Sequence, residues 1–225
     1  MNNTKTVQLL SLFNKKEIKK VSKFIHSSYF NTEKKVILLF EYLLANLDRK
    51  ITKTDTFSFI YGKEAFNLSR LNYLSTTLYN LLKKYISIEN VLENESFYNV
   101  SVLNTLRKKN QKHLYHLEEN LIIHKSAKEN KLKSIDYQKN YLFEYERLNF
   151  YAEEQRTETK YIENLHFNLD AYYLIEKLKA ACTSINQQKL YKTKIKQSFT
   201  ALLIDYIEKT KFQKEVPLLS VYFNA

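Results

Sequence analysis

A chain of 225 residues that is 44% apolar and 14% aromatic has ample material for a buried core, which excludes wholesale disorder. One glycine and one proline leave few places for tight turns or bulges, which points away from sheet-rich folds and Gly-rich phosphate loops. The net charge of +12 is uneven: residues 1–110 hold 18 Lys and Arg against 9 Asp and Glu, and residues 111–225 hold 18 against 15.

The elements predicted in chain order are all helices. The apolar opening over 7–13 is short, broken by Gln8 and Ser11, and lacks a small-residue cleavage site, so it does not read as a signal peptide. Asn14-Lys15-Lys16-Glu17 has capping-box spacing and starts a helix. Ile18, Val21, Phe24 and Ile25 make its apolar stripe, and Ser27-Ser28 end it. Asn31 is placed to cap a second helix through Val36, Leu39, Phe40 and Leu43 to about Leu47. After a polar connector, a short helix over 55–61 should stop at Gly62, the residue most at ease with positive φ. A longer helix follows, with Leu71, Leu74, Leu78, Leu81, Leu82 and Tyr85 on one side.

The polar stretch over 89–96 is the expected boundary between an N-terminal basic helical domain (1–95) and a helical-hairpin region (96–225). In the second part, Leu103, Leu106, Asn110, Leu114, Leu117 and Leu121 keep one helical stripe, and Tyr137, Tyr141, Tyr145, Leu148 and Ala152 another. Ala171, Leu174, Ile175, Leu178, Ala181, Cys182 and Ile185 form a third. This pairs with Ile195, Phe199, Leu202, Leu203 and Tyr206 across a loop at 186–189 in an antiparallel hairpin. Successive hairpins suggest a short α-solenoid. Residues 216–223 begin one more helix, with Pro217 in its first turn. Leu218 and Tyr222 should pack backwards and leave Leu219 and Phe223 outward, where a further repeat, a protein partner or a second copy would dock. The fold class is therefore all-α: an N-terminal bundle followed by stacked hairpins, possible truncation at the C-terminal end being part of that expectation.

The run Lys23-Phe24-Ile25-His26-Ser27-Ser28-Tyr29-Phe30-Asn31 resembles a K-F-hydrophobic-x-S-P-Y-F-N motif of uncharacterised helical-repeat, tetratricopeptide-like proteins of Bacteroidetes, with Ser28 standing where that motif has Pro. The segments over 71–78 and 172–178 fit the same pattern. The resemblance implies a longer scaffold protein and supplies no activity. The 34-residue tetratricopeptide signature itself is not recoverable.

His113 and His116 are three apart on a helix, but His124 is about 16 Å further along it from His113. No Cys or acidic pair is spaced to complete a ligand set, so neither metal nor cofactor is expected. Cys182 lies on an apolar stripe and reads as an inert core thiol; as the single cysteine it forms no internal disulfide, which suits a cytoplasmic setting. Tyr137, Tyr141, Tyr145, Tyr151 and Tyr161 crowd one region beside Lys139, Arg147, Arg156 and Lys160, a pattern that serves inter-helix packing, a peptide-binding surface or the stacking of nucleic-acid bases. The helix over 55–61, Gly62 and the next helix outline a helix-turn-helix, with Ser69, Arg70, Asn72, Tyr73 and Thr76 available to bases.

The charge excess is lysine rather than arginine, and Asn, Ile, Tyr and Phe are also abundant. An AT-rich coding bias produces that composition, which favours a solvated lysine coat. No P-loop, dinucleotide fingerprint or Ser-His-Asp order occurs. The longest purely apolar run, 36–40, is far too short to span a membrane. The expectation is a non-enzymatic, cytoplasmic scaffold or adaptor that binds another protein through Tyr137, Tyr141, Tyr145, Leu219 and Phe223. The alternative is a DNA- or RNA-binding regulator using the basic N-terminal half.

Overall fold

The computed structural model describes residues 1, 3–126, 133–154, 159–192, 194 and 199–223. Among them every regular element is helical and no strand occurs. No helix is long and apolar enough to cross a membrane. The chain divides into two compact units, Met1–Glu93 and Asn94–Ala225.

The first unit contains α1 (Lys5–Leu10), α2 (Lys15–His26), α3 (Lys34–Ala45), α4 (Lys53–Tyr61) and α5 (Leu68–Glu93). Its local signals work largely as read. Asn14 Oδ1 accepts from the Lys16 and Glu17 amides, and Glu17 Oε2 accepts from the Asn14 amide at 2.7 Å, which completes the capping box. Gly62 closes α4 at φ 65°, its amide donating to the Ser58 carbonyl at 2.8 Å. The six expected residues of α5 are all buried, around Val21, Ile25, Leu39, Phe40, Leu43 and Phe57.

Two details differ. Asn31 is no helix cap: its Nδ2 donates to the Ile25 carbonyl and its Oδ1 accepts from the Glu33 amide, both at 3.0 Å, so it ties the turn after α2 together. The short α1 went unpredicted, yet it buries Val7 and Leu10 and anchors on α5 through Thr6 Oγ1, which donates to the Ser75 carbonyl. A six-residue helix carries too few periods to announce itself.

The second unit contains α6 (Glu95–Lys108), α7 (Lys112–Ser126), α8 (Ser134–Glu153), α9 (Thr159–Tyr191) and α10 (Thr200–Thr210), then a 3-10 turn at Phe212–Lys214 and α11 (Pro217–Phe223). Contacts such as Lys125–Glu95, Arg107–Glu146 and Tyr151–Tyr161 join α6 to α7, α6 to α8 and α8 to α9, and Tyr115 of α7 stacks on Phe150 of α8.

Three expectations are corrected here. The stripe drawn through 103–121 spans two helices, because Asn110 takes φ 55° and breaks the chain between α6 and α7. Asn tolerates that conformation better than any residue but Gly. The loop expected at 186–189 is helix, since α9 runs on to Tyr191. The partner stripe is also re-phased. Ile207 is buried and Leu203 half-buried, whereas Phe199, Leu202 and Tyr206 are exposed; Ile195 lies outside the described residues.

The third stripe itself holds from Ala171 to Ala181, with Ile185 exposed. Beside Tyr137 of α8, the C-terminal end covers it: Val216 and Leu219 are fully buried in that cluster, with Leu218, Tyr222 and Phe223 half-buried around them. Leu219 therefore points into the core, not outward. The 3-10 turn lets α11 fold back onto α9, and the Cys182 thiol donates to the Tyr222 carbonyl at 3.6 Å. Cys182 is half-buried at this contact.

Candidate functional site

The side chains of greatest chemical content lie where α6, α7 and α8 meet. Glu119, Glu144 and Glu146 are almost completely buried, a placement carboxylates accept only with charged partners. Arg147 supplies two of those pairings: its Nε donates to Glu119 at 2.6 Å and its Nη1 to Glu144 at 3.0 Å. Arg107 reaches from α6 to Glu146 at 2.7 Å and to Glu153 at 2.5 Å. The Asn104 amide donates to Glu146 at 3.0 Å and the Tyr151 hydroxyl to Glu119 at 2.8 Å. His116 Nδ1 lies 3.3 Å from Glu119.

Aromatic rings wall the network. Tyr115 and Phe150 stack at 3.7 Å, Tyr151 and Tyr161 at 4.8 Å, and the Arg147 guanidinium lies 4.3 Å over Tyr161. The electrostatics follow. Burial pushes the Tyr115 phenol far above its ordinary value, and the Glu146 and Glu119 charges add to this. Burial does the same at Tyr151, aided by its hydrogen bond to Glu119. The hydrogen bond to Glu146 raises Arg107. Burial alone would lower Arg147; its Glu119 and Glu144 partners more than offset that. Each of the three carboxylates is thus held by a guanidinium, and the arrangement fixes the register of three helices.

Sequence reasoning missed this network because its search was for apolar periodicity. The available signals were Tyr115, Glu119 and Ile122 at i, i+4 and i+7, and Arg147 set directly after Glu144 and Glu146; Arg107, with no glutamate near it in sequence, gave none.

With Tyr115 and Glu119 turned inward, the opposite face of α7 carries Leu114, Leu117 and Leu121, and Leu121 is 63% exposed. At i, i+3 and i+7 they form one continuous apolar strip on the surface. Beside it, a cavity of about 100 Å³ opens among the start of α6, the end of α7 and the start of α8. Asn99, Asn140, Val100, Ile122 and Phe143 line it, and the Lys125–Glu95 pair stands at its rim.

The sequence-predicted tyrosines do not form one surface. Tyr137 is buried among Phe167 and Ala171, Tyr141 is half-buried, and Tyr145 is exposed. Arg156 lies outside the described residues. Ser69, Arg70, Asn72, Tyr73 and Thr76 are all exposed at the start of α5. Arg70, however, is engaged locally, paired with Glu64 and stacked 4.1 Å over Tyr61, which Lys35 also contacts at 4.2 Å. His113 and His124 are exposed, and no group of three or more His, Cys, Asp or Glu among the described residues could hold a metal ion. Set against known proteins, the chain matches no protein-family model, no curated protein and no solved structure.

Proposed function

We propose that the chain is a non-enzymatic protein-binding scaffold whose outer α7 face receives an amphipathic helix of a protein partner. The observation that carries this reading is the solvent-facing strip of Leu114, Leu117 and Leu121 on a helix whose inner face is locked by Glu119 and Tyr115. An exposed leucine strip at this spacing is what helix-in-groove and helix-pair recognition uses. The buried ion pairs hold that face in one orientation, so little ordering cost remains for binding. The C-terminal route to a partner, or to a second copy, loses Leu219 to the core. Arg70, spent on Glu64 and Tyr61, weakens the helix-turn-helix reading of α5.

The test is affinity capture from native lysate after nuclease treatment, comparing the wild-type chain with a Leu117→Asp, Leu121→Asp double variant. A protein partner that survives nuclease and disappears with the double variant supports the scaffold. Loss of every partner on nuclease treatment, or capture indifferent to the two aspartates, overturns it.

A further inference from the structure

The motif over 23–31 receives a structural account for all but two of its distinctive side chains. Phe24 stacks on Phe30 at 4.1 Å and meets Tyr85 at 5.6 Å, which in turn meets Phe13 at 5.9 Å. Asn31 holds the turn, and the Phe30 and Asn31 amides both donate to the Ser27 carbonyl at 3.0 Å. His26 bonds the Ser22 carbonyl and Glu41. Lys23 and Tyr29 are the two left, both exposed. Tyr29 ends the aromatic ladder, set edge-on to Phe30 at 4.8 Å and 86% exposed on a well-braced turn.

The exposed face of α2, which leads into this turn, is cationic. Lys15, Lys16, Lys19, Lys20 and Lys23 are all exposed and cover about 140° of the circumference of α2 at 3.6 residues per turn. Lys20 is taken up by Glu89 at 2.6 Å, with Glu93 nearby, and Glu17 by the helix cap. Among the described residues Lys15, Lys16, Lys19 and Lys23 make no ion pair. Lys84 adds a further cation, 5.1 Å over the Phe30 ring that supports Tyr29.

We infer that this face of α2, with Tyr29, binds single-stranded nucleic acid. Lysines four apart rise about 6 Å per step along the helix, close to the separation of neighbouring phosphates on an extended strand. They neutralise the backbone as point charges and read no base. A pre-positioned, solvent-exposed ring supplies the stacking platform on which one unpaired base settles, whatever its identity. A duplex offers its phosphates but no free base face, so it binds more weakly. An anionic membrane would engage the lysines, but the apolar face of α2 is already spent on the core, leaving little to insert. This inference rests on a different unit from the proposed scaffold face and stands or falls separately.

Fluorescence anisotropy of the full chain with labelled oligo(dT) and oligo(U), and with a duplex of equal length, tests it. The single strands should bind without sequence preference, with log affinity against log salt falling at a slope of roughly −3, as about four phosphate contacts require. Tyr29→Ala should weaken single-strand binding about 5- to 100-fold and leave duplex binding unchanged, while Tyr29→Phe retains it. A Lys16→Glu, Lys19→Glu, Lys23→Glu variant, its helicity checked by circular dichroism, should lose binding to both. Equal affinity for single strand and duplex, indifference to Tyr29→Ala, or displacement by polyglutamate as readily as by oligo(dT) would reduce the face to a charged coat and overturn the inference. So would Tyr29-dependent sedimentation with phosphatidylserine vesicles by a chain that does not bind oligo(dT).

Discussion

Removing Glu119 by Glu119→Ala strikes the buried network at its most connected point. The residue is 3% exposed, and its carboxylate accepts from Arg147 at 2.6 Å and from Tyr151 at 2.8 Å. Without it, the Arg147 guanidinium keeps one carboxylate partner, Glu144, beside the Tyr161 ring, and the Tyr151 hydroxyl loses the Glu119 acceptor. Breaking a buried ion pair costs about 3–5 kcal/mol, and a half-buried hydroxyl that loses its acceptor costs toward the low end of about 1–3. Both terms concern one group and do not simply add, so a loss of about 4 kcal/mol is expected. At an m-value of about 2 kcal/mol/M this moves the urea midpoint down by about 2 M. Glu119→Gln keeps an acceptor for Tyr151 and should lose less than half as much. Replacing both partners with apolar groups, Glu119→Leu with Arg147→Met, should recover most of the loss, since the cost lies in the stranded charge. Urea titrations followed by circular dichroism and by tyrosine fluorescence, with hydrogen exchange to place the loss on α7 and α8, measure all three. A cost below 1 kcal/mol for Glu119→Ala, or a double variant no better than the single one, would show that the network does not brace these helices.

The two faces of the second unit should respond oppositely to truncation: Leu103→Ala, at a fully buried position, should cost about 2–5 kcal/mol, and Leu121→Ala less than about 0.5, both read from thermal or urea melts. Deleting residues 216–225 should make the chain associate, because the cover over Ile175 and Leu178 is lost; sedimentation that shows an unchanged monomer would contradict the packing of α11. His26 should titrate above an ordinary histidine, held up by the Ser22 carbonyl first and then Glu41, and NMR of its ring protons with Glu41→Gln should lower it. Because its folded value is raised, its stabilising contribution is full below about pH 6.5 and disappears as pH rises through the folded value; exposure keeps that contribution small.

Legibility differed between the units for a physical reason. In the first unit, burial is bought with aliphatic and aromatic side chains, so periodicity and burial coincide: Val21 and Ile25 on α2, and Leu71 to Tyr85 on α5, are where the stripes place them. In the α6–α8 bundle the inward positions are shared between Leu103, Tyr115 and Phe150 and the charged Glu119, Glu144 and Glu146, with Arg107 and Arg147 set against them, and the leucines of α7 go outward. A rule that assigns apolar residues to the core must invert such a helix. The error was compounded at Asn110, whose positive φ resets the helical phase between Leu106 and Leu114. Residue type alone left that break undecided, since Asn is also compatible with a helix interior at modest cost. Buried charge and exposed leucine are two sides of one arrangement here. A helix whose inner face is held by directional ion pairs keeps its orientation without burying its leucines. Those leucines thereby stay available to something outside the chain, which is why the inverted helix, and not the tyrosine stripe of α8, carries the functional reading.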